Sequence, residues 1–490
     1  MVKIPSTRPD LVDRTVELRE LRELVARREP ALALLYGRRR VGKTYLLDHA
    51  FEGTRFFYFL AGDSTPELNK KELLREIAPL LRSPADADPA LYPSWRNVFR
   101  LFVDLAREEP LVVVLDEFQY LLRKEEDLAS QLMAVWDREV RGAPLVLIAC
   151  GSEVSVMERL ERGDGPLYGR WNWAARLRPF GYAHAAEMVL ERPAREKALL
   201  YGVMGGTPRF LASVRVGDVL ARRLTDTVLS PRGEVHIQLE RVVEQEKGIR
   251  EPAEYRAVLS AIASGRTLLD EIAGATGLSD RPHVVRRSLS VLENLELVWR
   301  ERNFGAAEKA PYRYRIADNG VRFWYRFVHP NRSRLETGDA DEVWRLHVEP
   351  YLNEYMGKIF ERICREAFVR NHAAWGLPAA AEWARWEGQD RNRRSIEVDV
   401  VACLDDGRIL TGEIKWSSRE VDVDVHMGLQ RNLEDLARSG QGWAKDALAP
   451  ERSAGFLYVS AAGFTRRFRA LARSNPAIQL RSLDDVYQGL

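Results

Sequence analysis

The feature that most constrains the fold of this 490-residue chain is a glycine-rich loop between an apolar strand and a helix. The strand is ALALLY at residues 31–36, and helical YLLDHAF begins directly after the loop. Between them, GRRRVGKT completes the pattern G-x-x-x-x-G-K-[ST], in which backbone N–H groups and the helix N-terminus form a cradle for phosphates. The motif predicts a nucleotide-binding P-loop in an α/β domain with a parallel sheet.

The expected cofactors of this loop are ATP and Mg²⁺. Lys43 is expected to reach the β- and γ-phosphates, and Thr44 is expected to ligate the magnesium ion. The loop residues assigned to nucleotide binding are Gly37, Arg38, Arg39, Arg40, Val41, Gly42, Lys43, Thr44 and Tyr45.

Acidic residues follow a second buried strand, in LVVVLDEFQYL at residues 111–121. Asp116 is expected to hold the magnesium through water, and Glu117 is expected to orient and deprotonate the attacking water. Ser152, at the end of PLVLIACGS, either senses the γ-phosphate or simply ends a strand. Arg170 is a candidate arginine finger, with a solvated surface arginine as the alternative. A finger that acts across subunits would imply a homo-oligomer, and a finger that acts within one chain is the alternative.

Hydrophobic periodicity divides the chain into four predicted domains. Residues 1–180 alternate buried strands with helices, and residues 181–250 are helical. Residues 251–330 predict three helices followed by two strands, which is a winged helix. HPNR at 329–332 is interpreted as a linker, and residues 331–490 form a second α/β unit. The fold class predicted is therefore α/β multidomain.

The third helix of the winged-helix segment carries Arg281, Arg286 and Arg287, which could enter a DNA groove. Residues 251–330 contain twelve basic and ten acidic residues, a weak excess for a dedicated DNA binder. DNA contact and internal packing both remain open for this segment.

A set of charged residues lies on two predicted strands near the C-terminus, SIEVDVVACL and GRILTGEIKW, joined by a turn at DDGR. Asp399 projects from the same face as Glu397, and Asp399, Glu413 and Lys415 fall on adjacent strands. Carboxylates can hold one or two Mg²⁺ or Mn²⁺ ions while lysine orients or activates a water, which suits phosphodiester hydrolysis. Glu361, in helical YMGKIFERICREAF, is expected to add a third carboxylate. A degenerate nuclease fold and a solvated charged face are the alternatives.

Composition narrows the class of protein. The net charge of +2 gives no global field for nucleic acid or membrane, so any basic surface is local. The three cysteines, Cys150, Cys364 and Cys403, are expected to be buried free thiols, since their spacing fits no zinc site. The chain lacks a signal-peptide pattern and a membrane-length apolar run, so a cytoplasmic location without a membrane partner is expected. Four tryptophans near the carboxylates are expected in the core, with stacking on bases as the alternative: Trp375, Trp383, Trp386 and Trp416.

Residues 1 to about 250 resemble the archaeal-type ATPase family, a branch of the STAND group of AAA-like P-loop ATPases. The segments that carry the resemblance are LVDRTVELREL, YGRRRVGKT, VLDEFQYL, LRPFGY and MGGTPRFL. The resemblance implies an ATP-dependent switch with a helical lid. It also implies that Pro208 packs near the adenine and that Arg14 lies near the nucleotide, with a turn proline and a surface arginine as the alternatives.

Residues of about 345–460 resemble the domain of uncharacterised function that often accompanies archaeal ATPases, and the PD-(D/E)XK, restriction-endonuclease-like fold. IEVD stands where the fold's name has Pro-Asp, so the match departs there. The function predicted is an ATP-hydrolysing switch coupled to a metal-dependent nuclease-like domain that acts on or binds DNA, with RNA as the alternative nucleic acid. The alternatives are a signalling or scaffolding ATPase with an inactive terminal domain, and a DNA-binding regulator without cleavage.

Overall fold

A five-stranded parallel sheet is the centre of the N-terminal unit, which extends to Pro179. The computed structural model describes residues 12–125, 127–163, 165–244 and 251–490. The strands of this sheet are β1 (Ala31–Tyr36), β2 (Phe56–Leu60), β3 (Leu111–Asp116), β4 (Leu145–Gly151) and β5 (Trp173–Arg176). Their order is β2-β3-β4-β1-β5, and all neighbours are parallel. The three central strands are buried along their whole length, because they are apolar on both faces.

Helices flank this sheet and supply its core contacts. They are α1 (Thr15–Ala26), α2 (Lys43–Ala50), α3 (Pro66–Ile77), α4 (Trp95–Glu108), α5 (Phe118–Lys124), α6 (Leu128–Arg138) and α7 (Val154–Arg162), with single 3₁₀ turns at Ala78–Leu80, Pro84–Ala87 and Pro89–Leu91. Leu21 of α1 and Leu46 and Leu47 of α2 are fully buried in a cluster with side chains of the central strands. The predicted α/β core with a parallel sheet is confirmed.

The sequence did not predict strand β5. This strand has only four residues, and all four are half-buried. Asn172 positions its start: the Asn172 side chain accepts a hydrogen bond from Leu32 N at 2.8 Å, and Asn172 N donates to Leu32 O at 2.8 Å. A short edge strand of this kind has neither a long apolar run nor clear alternation, so periodicity misses it.

The second unit comprises Phe180–Val243 and Glu251–Leu490 and begins with short helices. These are α8 (Tyr182–Glu187), α9 (Ala194–Met204), α10 (Pro208–Leu211), α11 (Leu220–Leu224) and α12 (Glu234–Glu240), with a π-helical turn at Thr225–Leu229. Three further helices and an antiparallel strand pair follow: α13 (Pro252–Ala263), α14 (Leu269–Ala275), α15 (Pro282–Asn294), β6 (Val298–Glu301) and β7 (Arg313–Ile316).

The segment interpreted as a linker is helical. Residues 319–336 run through α16 (Asn319–Phe323), a π-helical turn at Trp324–Val328, a 3₁₀ turn at His329–Asn331 and α17 (Arg332–Glu336). Phe327 and Val328 are buried, so this segment packs into the core. Pro330 is compatible with this path because it lies at the start of a short helical turn, where no backbone donor is needed. The expectation of a linker at HPNR was wrong.

The C-terminal part contains a second, mixed sheet. Its elements, with those that lead into it, are α18 (Ala340–Val343), a π-helical turn at Trp344–Val348, a 3₁₀ turn at Glu349–Tyr351, α19 (Leu352–Asn371), β8 (Ala380–Gln389), β9 (Ser395–Leu404), β10 (Ile409–Lys415), α20 (Val423–Arg438), α21 (Gly442–Leu448), β11 (Ser453–Ser460), α22 (Arg466–Ser474), β12 (Ile478–Ser482) and α23 (Leu483–Val486). The order is β12-β11-β10-β9-β8. Strands β8, β9 and β10 are antiparallel to their neighbours in that group, whereas β10, β11 and β12 are parallel.

Helix α19 has the apolar stripe that its sequence predicts. Its buried residues include Met356, Ile359, Phe360, Ile363 and Ala367. This stripe faces the core, and the polar residues between its members are left for the surface or for a site. Within the described part of the chain, no helix is both long enough and apolar enough to cross a lipid bilayer.

Candidate functional site

The glycine-rich loop wraps around the side chain of Lys43, the first residue of α2. The buried Lys43 ammonium donates hydrogen bonds to the carbonyl oxygens of Gly37, at 2.7 Å, and Arg38, at 3.3 Å. Gly37 has φ 154°, and a Cβ on it would lie 2.3 Å from the Leu177 carbonyl oxygen. Gly42 has φ 97°, with open space where its Cβ would be. Both positions therefore favour glycine, one through close packing and the other through backbone conformation alone.

The other loop residues differ in exposure. Val41 is buried, whereas Thr44 and Tyr45 are exposed on the first turn of α2. Arg39 is exposed, and its guanidinium donates to the Tyr120 hydroxyl at 3.1 Å. Arg38 and Arg40 are half-buried. The arginines at these three positions thus lie on the outer side of a loop whose core is Val41 and Lys43.

Asp116, at the end of β3, is buried, and Tyr58 lies beside both Asp116 and Thr44. The hydroxyl of Tyr58 donates to the Asp116 carboxylate, and the Thr44 side chain lies near the same hydroxyl. Burial, together with the negative charge of Asp116, raises the pKa of Tyr58 well above its ordinary range. The oxygen atoms of Thr44 and Asp116 therefore meet around one phenol.

Glu117 is the next residue, and its carboxylate is fixed by two neighbours. Its backbone has φ 53°, in the left-handed region, and its N–H donates to Asp116 Oδ1 at 2.8 Å. Ser152 Oγ donates to Glu117 Oε2 at 2.6 Å, and the Gln119 amide donates to the same oxygen. Ser152 and Gln119 are both buried. Gln119 was not assigned from the sequence, since no motif marks it.

The remaining residues predicted for the nucleotide site have other contacts. Arg170 forms a bidentate ion pair with Asp137, with both N–O distances 2.8 Å, and hydrogen bonding from Arg170 lowers the pKa of Asp137. Arg14 is buried, donates to the Arg178 carbonyl and lies 3.3 Å from Asp13. Pro208 is the first residue of α10 and belongs to the second unit.

The predicted carboxylates of the C-terminal part line one cavity of about 410 Å³. The lining residues are Lys358, Glu361, Glu397, Asp399, Glu413, Ile414, Lys415, Val425, Gly428, Leu429 and Asn432. They come from α19, β9, β10 and α20. The structure therefore brings together Glu361, Asp399, Glu413 and Lys415, which are up to 54 residues apart in the chain.

Strands β9 and β10 hold the most buried of these groups. Asp399 accepts hydrogen bonds from Ile414 N at 3.0 Å and from Lys415 Nζ at 2.9 Å. Lys415 also pairs with Glu413. Burial and the nearby Asp399 raise the pKa of Glu413 to about 8. Burial opposes ionisation of Asp399 as well, but Lys415 and the Ile414 N–H keep the pKa of Asp399 below its usual range.

Glu361 and Glu397 complete a group of three acids with Asp399. One oxygen from each of the three carboxylates lies within 4.8 Å of the others. Burial and Asp399 raise the pKa of Glu361. Glu397 was noted in the sequence only for sharing a face with Asp399, and the two-residue alternation of β9 was the signal that could have identified it.

Two cations contact Glu397. Lys358 Nζ lies 2.5 Å from Glu397 Oε1 and 2.8 Å from Glu361 Oε1. The guanidinium of Arg385, on β8, also donates to Glu397, and Arg385 is buried. Neither cation was assigned from the sequence. Positive and negative side chains thus alternate across this end of the cavity.

The antiparallel pair β6–β7 is attached to the mixed sheet. Phe304, just after β6, is buried in the core cluster that includes Trp386 and Trp443, and Phe304 N donates to Arg385 O at 2.9 Å. Asn303 donates to Glu387 O at 2.6 Å. Arg281, Arg286 and Arg287 are exposed at the start of α15, where Arg287 pairs with Glu254 at 2.9 Å. Internal packing therefore accounts for one end of the strand pair, while the arginine face of α15 stays accessible.

The four tryptophans and three cysteines noted in the sequence are buried or half-buried. Trp375, Trp386 and Trp416 are buried, which agrees with the core interpretation, and Trp383 is half-buried. Cys150 and Cys364 are buried free thiols as expected, and Cys403 is a half-buried one.

Comparison with known families finds a match for each of the two regions that contain these sites. Residues 11–214 match the family of ATPase domains found predominantly in Archaea. The matched range includes the loop, Asp116, Glu117, Ser152 and the Pro208 turn. The N-terminal sheet with its glycine-rich loop is therefore similar to the core of archaeal ATPase domains. Residues 324–425 match a family of archaeal and bacterial proteins of unknown function, and this range contains α19, β9 and β10.

A relative and two solved structures match this chain over about two thirds of its length or more. An uncharacterized protein of Methanocaldococcus jannaschii is 27% identical over 84% of this chain and 89% of its own. A Walker-type ATPase of Pyrococcus abyssi is 25% identical, with a TM-score of 0.49, over 66% of this chain and 98% of its own. The ORC2 protein of Aeropyrum pernix, solved with ADPNP and ADP, is 15% identical, with a TM-score of 0.47, over 69% of this chain and 98% of its own.

The N-terminal unit has donors that fit a nucleotide with a hard cation. Thr44 and Asp116 offer only oxygen atoms and meet at the Tyr58 hydroxyl, which is the donor type that Mg²⁺ prefers. Lys43, directly before Thr44, supplies a buried positive charge at the start of α2. The carboxylate cavity of the second unit fits a divalent cation for the same chemical reason, because its acids also offer oxygen donors within a small radius.

Proposed function

We propose that this protein hydrolyses ATP in its N-terminal domain and phosphodiester bonds of nucleic acid in its C-terminal cavity, as an ATP-dependent switch. The observation that carries the second activity is the convergence of Glu361, Asp399, Glu413 and Lys415 in one cavity. The first activity has the support of the match to archaeal ATPase domains.

In the ATPase domain, Lys43 would hold the β- and γ-phosphates, and the backbone of residues 37–45 would surround them. Mg²⁺, held by Thr44 and by Asp116 through water, would neutralise charge on the phosphates. Glu117 orients the attacking water and accepts its proton. Ser152 and Gln119 fix the Glu117 carboxylate before the substrate arrives, so the base does not have to be ordered during the reaction.

The helical segment 181–250 would act as a lid over the nucleotide. On this proposal Pro208 packs near the adenine, Arg14 lies near the nucleotide, and Arg170 supplies a positive charge to the transition state. Arg170 would have to leave Asp137 to do so. Residues 1–180, 181–250, 251–330 and 331–490 would be the core, the lid, a winged helix and the nuclease-like domain.

In the C-terminal domain, the element order α19-β8-β9-β10-α20 with a mixed sheet supports a restriction-endonuclease-like fold. Glu361, Asp399 and Glu413 would hold Mg²⁺ or Mn²⁺, whose chemistry there is to polarise the phosphodiester and lower the pKa of a bound water. Lys415 keeps the Asp399 and Glu413 oxygens in place and is positioned to orient a water. The exposed arginines at the start of α15 would contact the sugar–phosphate backbone of DNA.

The test is a cleavage assay with single- and double-stranded DNA and RNA, in Mg²⁺ or Mn²⁺, with and without ATP. The wild-type protein is expected to cut at least one substrate, and the Glu413→Ala/Lys415→Ala variant is expected to be inactive while it retains ATP turnover. An exposed-site control, Lys445→Ala, should behave as wild type. Cleavage that is absent in every condition, or equal in the double variant, would contradict the nuclease.

The ATPase is tested separately with Lys43→Ala and Glu117→Gln. Each is expected to lower ATP turnover by about a hundredfold or more, as for removal of a group used in the transition state. Lys43→Ala should also weaken nucleotide binding, whereas Glu117→Gln should still bind ATP. Turnover that persists in both variants would show that the reaction takes place elsewhere.

A further inference from the structure

Lys358 occupies an unusual position for a helix-surface lysine. It pairs with Glu361, three residues further along α19, at 2.8 Å, which is an ordinary helical ion pair. Its ammonium also lies 2.5 Å from Glu397, which is 39 residues away on β9. One ammonium therefore bridges two of the three carboxylates whose oxygens lie within 4.8 Å of one another.

The charges around the cavity are nearly balanced without any added ion. The carboxylates of Glu361, Glu397, Asp399 and Glu413 are in contact with three cationic side chains, Lys358, Arg385 and Lys415. An added divalent cation would bring two more positive charges into a half-buried space, where like charges repel strongly. Binding of such a cation is favoured if one of the three side chains leaves.

The three cations differ in how firmly they are held. Arg385 is 8% exposed, pairs with Glu387 as well as Glu397, and its backbone carbonyl accepts the bond from Phe304 N. Lys415 bonds the buried Asp399 and Glu413. Lys358 and Lys415 both line the cavity, with side chains that are 33% and 39% exposed. The two acids that pair with Lys358 are 18% and 44% exposed, whereas the two that pair with Lys415 are only 6% and 10% exposed, so the ion pairs of Lys358 are the more hydrated. Lys358 is therefore the cation that can leave for solvent with the least disruption.

We propose that Lys358 is an internal counter-cation that occupies the divalent-cation position while it is empty and leaves when a divalent cation binds. This rests on the proposed metal site in the C-terminal cavity, and it adds Glu397, whose oxygen lies within 4.8 Å of those of Glu361 and Asp399, to the ligands of that site. Lys358 stabilises the folded protein against repulsion between Glu361 and Glu397, and it sets the cation concentration at which the site fills. Removing its charge is expected to tighten cation binding and to make the cation-free protein less stable.

The experiment measures Mn²⁺ binding to the full-length, nucleotide-free protein by the electron paramagnetic resonance signal of free Mn²⁺. Lys358→Met is expected to bind about tenfold more tightly than wild type, the scale expected for losing two half-exposed ion pairs. The matched control is Lys445→Met, which changes an exposed lysine of the same domain that does not line the cavity. Lys358→Gln serves as a second variant that keeps a polar side chain. In thermal unfolding with EDTA, Lys358→Met should melt at a lower temperature than the control, and saturating Mn²⁺ should abolish that difference.

Asp399→Asn separates the two proposals. If wild type binds no Mn²⁺, or binds it as well as Asp399→Asn does, the metal site is overturned, and the counter-cation with it. If Asp399→Asn loses binding but both Lys358 variants bind no more tightly than Lys445→Met, the metal site stands and the counter-cation role is overturned.

Discussion

The hydroxyl of Tyr58 donates a hydrogen bond to the carboxylate of Asp116, and the two residues lie on neighbouring parallel strands, β2 and β3. Asp116 is opposite Leu60, so Tyr58 reaches it diagonally from two residues earlier on β2. The same phenol lies near the Thr44 side chain. Tyr58 therefore connects the two side chains expected to hold Mg²⁺, although it belongs to neither motif.

Tyr58→Phe is expected to raise the Mg²⁺ concentration needed for half-maximal ATP turnover several-fold. The reason is that a buried carboxylate that loses a hydrogen-bond donor costs about 1–3 kcal/mol and is less well oriented. ATP turnover is measured as a function of free Mg²⁺. Tyr168→Phe, at a 56% exposed position, is the control and should leave the curve unchanged. A Tyr58→Phe variant with the wild-type Mg²⁺ dependence would show that the hydroxyl has no positioning role.

Gly37→Ala is expected to destabilise the ATPase domain by about 2 kcal/mol or more, since a strained φ costs about 1–3 kcal/mol before any clash is counted. The added Cβ would also lie 2.3 Å from the Leu177 carbonyl oxygen. Gly53→Ala is the control, because φ is 78° there but its Cβ would meet nothing within 4 Å. Urea unfolding measures the free energy of unfolding of both. Equal losses in the two variants would contradict the close contact at Leu177.

The raised pKa of Glu413 predicts a pH dependence of stability in metal-free buffer. Because the pKa is about 8 in the folded protein and near 4.5 ordinarily, the folded state keeps a proton that the unfolded chain has released between these values. The free energy of unfolding should therefore fall as pH rises from about 5 to 8, by at most about 1.4 kcal/mol per pH unit from this group. Glu413→Gln should flatten the slope, as measured by urea unfolding in EDTA. An unchanged slope in Glu413→Gln would show that other groups cause it.

Arg170→Ala is expected to lower ATP turnover more than tenfold. The ATP concentration that gives half-maximal turnover should change little, because the contact that is lost forms in the transition state. Asp137→Ala removes only the partner of Arg170 in the ion pair and should preserve turnover, since such exposed pairs contribute about 0–1 kcal/mol to stability. Steady-state kinetics of both variants test this. Wild-type turnover in Arg170→Ala would assign the arginine to the surface pair alone.

The elements that could be predicted are those whose cause is local. The P-loop follows from eight consecutive residues that begin at the end of a strand and run into a helix, and the buried stripe of α19 follows from the helical spacing of Met356, Ile359 and Ile363. The turn between β9 and β10 follows from DDGR, where Gly407 has φ 81°. In each case, neighbours in sequence decide the backbone conformation.

Other features could not be predicted from local sequence patterns. Strand β5 is extended because it pairs with β1, and four half-buried residues give no periodicity of their own. HPNR suggested a break, but burial of Phe327 and Val328 keeps that segment helical. The alternation on β9 placed Glu397 beside Asp399, yet nothing in the sequence indicated that Lys358 would lie between Glu361 and Glu397.

The sequence by itself determined which side chains have the chemistry for phosphate and cation binding, because glycine, lysine and carboxylates at those spacings follow from strand and helix geometry. The tertiary structure alone decided which of them meet. Tyr58 reaches Asp116, Gln119 and Ser152 fix Glu117, and Lys358 bridges two acids, because sheet order and helix packing bring distant residues within hydrogen-bond distance. Periodicity gives the face on which a side chain lies, but the partner on that face depends on contacts across the whole fold.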